Sequence, residues 1–241
     1  MMTETFTVIG RDHLSLDRLS WPLVIKSRAI VTEEFDRSAM SPLQTPMVLD
    51  IIALEGRFVR LEPLEPPMKA ELRDAIAGSA EDWAIMASNG GGEAFDGYFE
   101  GALGDMAKGR RIAFAIRRRR DGRIVGTTSY LDPNPRHRRV EIGSTFLAPE
   151  ARAGAINPDC KLTLLTYAFS RGAHRVEFMI DQVNARSQAA VMKLGALRDG
   201  VLRRNMVTWT GRVRDTGVFS ITDLDWPAVQ ARLEARVAAF D

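Results

Sequence analysis

From Val48 onward, apolar and polar positions fall into blocks of changing period. Phe58-Val59-Arg60-Leu61 begins a strand that ends at Pro63. Met68, Leu72 and Ile76 recur at helical spacing after Pro66-Pro67, and Gly78 stops that helix. The stretch 88–104 is glycine-rich and reads as a loop, followed by a short helix from about Phe95 to Met106. Ile112–Ile116 and Arg123–Tyr130 form a hairpin around Arg120-Asp121-Gly122. Asp132-Pro133-Asn134-Pro135 reads as a second turn and Val140–Leu147 as a third strand.

Then the period changes. Asn157-Pro158-Asp159 reads as a helix start, with Asn157 as N-cap and Pro158 at the first position. Leu162, Leu165 and Phe169 line that helix, with Leu164 and Ala168 beside them, and Gly172 ends it. Val176, Phe178 and Ile180 alternate with polar or flexible neighbours as a strand does. Asn184–Leu194 is a helix closed by Gly195, and two strands follow around Thr210-Gly211. A last helix presents Trp226, Val229, Leu233 and Val237 on one face. Antiparallel runs joined to a β-α-β-α segment predict an α/β (α+β) fold, with a mixed, mostly antiparallel sheet and helices on both faces.

Residues 1–47 show no sustained period. Trp21–Ile25 is compatible with a strand, and Ser41–Pro46 reads as a linker. Either this stretch is an extension of the domain at 48–241, or it is translated from an early start, with Met40 or Met47 as the alternative start.

Composition narrows the class. The chain has 241 residues, 45% hydrophobic and 27% charged, with a net charge of +2. That suits a globular fold and gives no general case for nucleic-acid binding. Cys160 is the single cysteine, and His13, His137 and His174 lie too far apart for a zinc spacing. No apolar run approaches the ~18 residues of a membrane span, and no signal-peptide pattern opens the chain. A cytoplasmic, soluble, metal-free protein is the expectation.

Two segments carry chemistry. Between a strand and a helix lies Ala148-Pro149-Glu150-Ala151-Arg152-Ala153-Gly154-Ala155-Ile156-Asn157. Small residues there let backbone N–H groups from about Ala153 to Asn157 converge on an anion, aided by the helix dipole. Arg152 adds charge at the rim. Taken alone, an ordinary strand-to-helix turn explains this segment as well. In the second segment, Asn184 and Ser187 precede a helix ending Lys193-Leu194-Gly195-Ala196. A capping Asn and a hydroxyl completing its turn explain those two equally well.

Together these segments resemble the GNAT superfamily of acyl-CoA-dependent N-acyltransferases, most closely its RimJ/RimL-like branch of ribosomal-protein N-terminal acetyltransferases. The resemblance spans about residues 49–227. It takes in Leu54–Leu64, Val140-Glu141-Ile142-Gly143, the turn to Asn157, the Asn184/Ser187 helix, Gly200–Arg204, Arg214-Asp215-Thr216 and Phe219-Ser220-Ile221. It implies acetyl-CoA in a splayed gap between two strands. The pyrophosphate would rest on Arg152, Ala153, Gly154, Ala155, Ile156 and Asn157, and the pantetheine arm on the backbone of Phe146 and Leu147. Asn184 and Ser187 would complete the cofactor site. The family's Gln/Arg-x-x-Gly-x-Gly/Ala motif is here Glu150-Ala151-Arg152-Ala153-Gly154-Ala155, which departs at Glu150 and Ala153. An alanine at that position can still present its N–H if its φ is negative.

The resemblance further implies attack of a primary amine on the thioester in a ternary complex, with Glu141 as base and Ser187 as the hydroxyl facing the leaving thiolate. An ion pair of Glu141 with Arg138 or Arg139, and a positioning role for Ser187, are the competing readings. The acceptor is a peptide N-terminus or a small-molecule amine, chosen by the region around 80–105. A homodimer is compatible with the sequence; a membrane or nucleic acid is not an expected partner, and the basic run Arg117–Arg120 reads as a solvated hairpin end. Cys160 reads as a buried packing residue. The alternative from another class is a CoA-binding regulatory or interaction protein without turnover.

Overall fold

Among the described residues a single eight-stranded sheet organises the fold, in the order β1-β2-β3-β4-β5-β6-β8-β7. The computed structural model describes residues 46–240; the readings made for residues 1–45 lie outside the described residues. The strands are β1 (Leu54–Glu55), β2 (Val59–Pro63), β3 (Arg111–Arg118), β4 (Ile124–Asn134), β5 (Arg139–Leu147), β6 (Arg175–Asp181), β7 (Leu197–Val207) and β8 (Val213–Thr222). All neighbours are antiparallel except β5 and β6. That parallel pair is joined by a helical crossover, as parallel neighbours require.

Helices cover both faces. α1 (Lys69–Ala75), α2 (Ala80–Ala84) and α3 (Phe95–Ala107) lie on one; α4 (Ile156–Ser170), α5 (Ala185–Leu194) and α6 (Trp226–Ala238) lie on the other. Strand β3 shows why. Ile112, Phe114 and Ile116 point into the core with α4 and α6, while Ala113 and Ala115 point into the core with α1 and α3. Burial on both faces explains why this strand reads as a continuous apolar run rather than an alternation.

Several boundaries differ from the sequence reading. Strand β4 runs through Asp132-Pro133-Asn134, where a turn was expected, and its register with β5 breaks between Leu131 and Asn134. Helix α2 is not among the elements the pattern predicts. It carries one buried apolar residue, Trp83, so it has no periodicity to detect; its start is fixed by a capping box between Ser79 and Asp82. Helix α4 begins at Ile156 with Ala155 as N-cap, so Asn157 is not the cap and Pro158 is the third helical residue. Proline fits there because the first-turn N–H groups have no intrahelical acceptor. On α4 the fully buried face is Ile156, Cys160, Leu164, Leu165 and Ala168, with Leu162 and Phe169 at its margin.

Candidate active site

The site begins where two neighbouring strands part. Strands β5 and β6 pair only from Arg139–Glu141 against Arg175–Glu177. Beyond Glu141, β5 follows β4 to its end while β6 follows β8, and a gap opens between them. A bulge drives the change. Ser129 faces Gly143 and Thr127 faces Phe146, so Ser144 and Thr145 together oppose Thr128. Ser144 takes φ +46°, the left-handed conformation that bulges use. The bulge also exchanges the faces of the strand. Val140 and Ile142 point to the α4 core, whereas Phe146, an even number of residues later, points to the α1–α3 core.

Glu141 is the last residue of β5 before the gap. It makes no hydrogen bond or ion pair among the described residues. Arg139 is engaged by Glu177, so the expected competing pair with Glu141 does not form there; the Arg138 Nε donates to the Gly172 carbonyl. Burial pushes the Glu141 carboxyl up from 4.5 to about 7, with Arg214 opposing the rise and Asp132 and Glu177 adding to it. Its Oε1 lies over Gly143, where a Cβ would stand 2.7 Å away. On the other side of the gap, Arg214 of β8 donates Nη2 to the Met179 carbonyl at 2.8 Å.

An anion cradle lies at the end of β5. The N–H groups of Ala153, Gly154, Ala155, Ile156 and Asn157 have no hydrogen-bond acceptor among the described residues. They lie at the start of a 15-residue helix, Ile156–Ser170, whose dipole puts its positive end there. A Cβ on Gly154 would meet nothing within 4 Å, so the backbone there is open to an incoming group. Ala153 has φ +61°, so the condition of a negative φ is not met. The turn keeps the geometry of a glycine although the residue is alanine. Such a Cβ costs roughly 1–2 kcal/mol. Ala153→Gly is therefore expected to raise stability by about 1 kcal/mol, read as a rise in Tm of about 2–4 °C; an unchanged or lowered Tm would show that the left-handed turn is not strained.

Arg152 does not hang free at the rim. Its Nε donates to the Leu147 carbonyl at 2.9 Å, and its Nη1 meets Asp82 of α2 at 2.7 Å. The guanidinium also lies over the Phe146 ring, 5.3 Å from its centre. Arg152 in turn holds the Asp82 carboxyl below its ordinary range. Asp82 also comes within 4.0 Å of Arg186 on α5. Helix α2 thus spans the two arms of the gap, and an open cleft of about 370 Å³ runs between α2 and the Asn184–Arg186 turn. Trp83 reinforces the bridge. Its ring stacks on Phe146 at 4.2 Å, and its carbonyl accepts from Trp209 Nε1 at 3.0 Å.

Asn184 caps α5, accepting from the Ser187 N–H at 3.0 Å. Its backbone N–H donates to the Asp181 carbonyl, which ties the turn to the end of β6. The Ser187 hydroxyl has no hydrogen-bond partner among the described residues. The structure therefore joins Arg152 to Leu147 and Asn184 to Ser187. It forms no bond between Glu141 and Ser187. Cys160 is fully buried in the α4 core, which pushes its thiol up to about 11 and makes it a packing residue. The basic run is neutralised locally: Arg117 pairs with Glu62 and Glu71, Arg118 with Asp121 and Arg119 with Glu55. Among the described residues no cluster of His, Cys, Asp or Glu could hold a metal, and no helix is long and apolar enough to cross a membrane.

Sequence reasoning did not single out Asp82 and Trp83. For Asp82, the Ser79-x-x-Asp82 capping signature was the available signal. Trp83 acts through contacts across the fold, with Phe146 and Trp209, that spacing does not encode.

Comparison with known proteins agrees with this fold. Residues 63–197 match the family described as an acetyltransferase (GNAT) domain. The chain is similar to the uncharacterized N-acetyltransferase YoaA of Bacillus subtilis (strain 168), 31% identical over 113 residues, or 46% of this chain and 63% of YoaA. The chain thus spans less than two thirds of that curated relative. Among solved structures, it is similar to a GCN5-related N-acetyltransferase from Brucella melitensis, with TM-score 0.74 and 26% identity over 80% of this chain and 89% of the other. The fold is also that of Mycobacterium smegmatis RimJ in complex with CoA-disulfide, with TM-score 0.66 and 21% identity over 80% of this chain and 97% of RimJ.

Proposed function

This chain belongs to the GNAT family of acetyltransferases, and from that premise we propose that it transfers an acetyl group from acetyl-CoA to a primary amine, either a protein N-terminal α-amine or a small-molecule amine. The observation that carries the reading is Glu141: a carboxylate without a partner among the described residues, raised to about 7 by burial, on the last paired residue before the gap. Such a group is half-protonated near neutral pH and can accept a proton and release it again.

The donor site follows from the cradle. The N–H groups of Ala153–Asn157 suit a pyrophosphate, and Asn184 and Ser187 line the opposite arm. Bound acetyl-CoA supplies the thioester. Glu141 takes a proton from the acceptor ammonium, directly or through water. The neutral nitrogen then forms a bond to the acyl carbon and the C–S bond breaks. The second amine proton goes with the sulfur, and the proton on Glu141 returns to solvent. The Ser187 hydroxyl, engaged by no other described residue, is the donor available to the departing thiolate. No covalent acyl-enzyme is formed, in keeping with a buried, protonated Cys160. The acceptor approaches from the α1–α3 face, where α2 and the loop before α3 form the wall.

A thermal-shift measurement with acetyl-CoA, followed by thiol release over a panel of peptides and small amines, tests the reading. Stabilisation with thiol release on at least one amine is expected. Stabilisation without thiol release on any amine would favour a CoA-binding regulatory protein.

Asp82 competes with phosphate for Arg152. Replacing it with asparagine keeps a capping oxygen and removes the negative charge. Asp82→Asn is expected to lower KM for acetyl-CoA about 2- to 5-fold, the scale of a partly exposed ion pair. A raised KM would mean that the pair shapes the cradle instead of restraining Arg152.

A further inference from the structure

The face of α4 beneath the gap carries a lysine that the reaction described above does not use. Lys161 is 5% exposed and makes no ion pair among the described residues. Its Nζ has one hydrogen-bond partner, the Thr145 Oγ1 at 2.6 Å. That oxygen also pairs with the Thr128 Oγ1 at 2.8 Å. An ammonium has three donors, so Lys161 is under-satisfied in an apolar setting, and burial pushes its pKa below the ordinary lysine value.

Its place is set by the bulge. Without the extra residue at Ser144, Thr145 would share the face of Glu141 and point away from α4. With it, Thr145 turns toward α4 and meets Lys161, beyond the point where β5 parts from β6. Asn157 lies one turn earlier on the same face of α4, and its side-chain amide has no partner among the described residues. A polar line thus runs from the free N–H groups at 153–157, past Asn157, to Lys161 and Thr145. It follows the wall of the gap between the cradle and Glu141.

We propose that Lys161 is a binding residue for the arm of the donor, giving a hydrogen bond to a carbonyl oxygen of the pantetheine chain or its thioester. This rests on the acetyl-CoA reading above. A molecule whose pyrophosphate fills the cradle and whose acyl carbon reaches Glu141 must lay its arm along this wall. The arm carries amide and thioester carbonyls, which are acceptors without charge. A buried lysine nitrogen with unfilled donors suits such acceptors, and Thr145 holds it in place until one arrives.

Binding of CoA and of 3′-phospho-ADP, which lacks the pantetheine arm, separates this role from general support of the fold. Lys161→Met keeps the length and apolar stem and removes the donors. It is expected to weaken CoA about 10-fold or more, the scale of a hydrogen bond to a charged group, and to leave 3′-phospho-ADP unchanged. Thr145→Val leaves the lysine in place but releases its anchor, and should show the same pattern more weakly. Equal loss of both ligands, or full CoA affinity in Lys161→Met, would overturn the inference while the acetyl-CoA reading stands. A parent protein that binds neither ligand would overturn both.

Discussion

Replacing Glu141 with glutamine is expected to lower kcat/KM for the amine about 100- to 10,000-fold, the range that a positioned general base supplies. The parent should show kcat/KM rising with pH up to about 7, where the Glu141 carboxyl titrates. The variant should lose that inflection and retain only the titration of the amine itself. A matching pH profile in parent and variant would remove Glu141 from the base role. Stability gives an independent readout. The folded pKa of Glu141 lies above its unfolded value, so the native state holds this proton more tightly. The stabilisation linked to the proton is present at low pH and is lost as pH rises from 4.5 to about 7. Glu141→Gln should therefore match the parent near pH 4 and exceed it at pH 8 by up to about 3 kcal/mol.

The second large effect is structural. Asp159 of α4 is 1% exposed and accepts from the backbone N–H groups of Arg57, Phe58 and Val59, at 3.2, 2.7 and 3.0 Å. It clamps the turn between β1 and β2 onto the helix that carries the cradle. Gly56 permits the approach, since a Cβ there would stand 2.5 Å from the carboxylate. Asp159→Ala leaves these donors without an acceptor. The expected loss is about 3–5 kcal/mol, the scale of breaking a buried charged cluster, or a fall in Tm of roughly 10 °C. Asp159→Asn keeps one acceptor and should fall between the two. An unchanged Tm in Asp159→Ala would show that water replaces the carboxylate at no cost.

These two acids show what a sequence discloses. Glu141 stands out because it interrupts an apolar strand within a recognisable order of motifs. Asp159 looks like an ordinary first-turn acid, and its partners lie about 100 residues away. Local chemistry was legible in the same way elsewhere. Asn184 caps α5, and Gly195 closes it at φ +110°, as their residue types predict. Ser144 and Ala153 were not legible, because each takes a left-handed conformation without being glycine. Both are held there by the surrounding sheet and loop rather than by their own preference. That is why the bulge, the reversal of Phe146 and the turn of Thr145 toward Lys161 emerge only in three dimensions. The start of α4 falls two residues before the expected one because Asn157-Pro158 resembles a cap and a first position. The residues that fix the site's outer wall, Asp82 and Trp83, sit on a five-residue helix too short to show a period.

The most direct measurement is the stoichiometry of products when the protein is incubated with acetyl-CoA and a panel of peptide and small-molecule amines. The expected result is one acetylated amine, seen by mass spectrometry, for each CoA thiol released. Thiol released without an acetylated amine, or no product on any amine from a protein that acetyl-CoA stabilises, would contradict acetyl transfer.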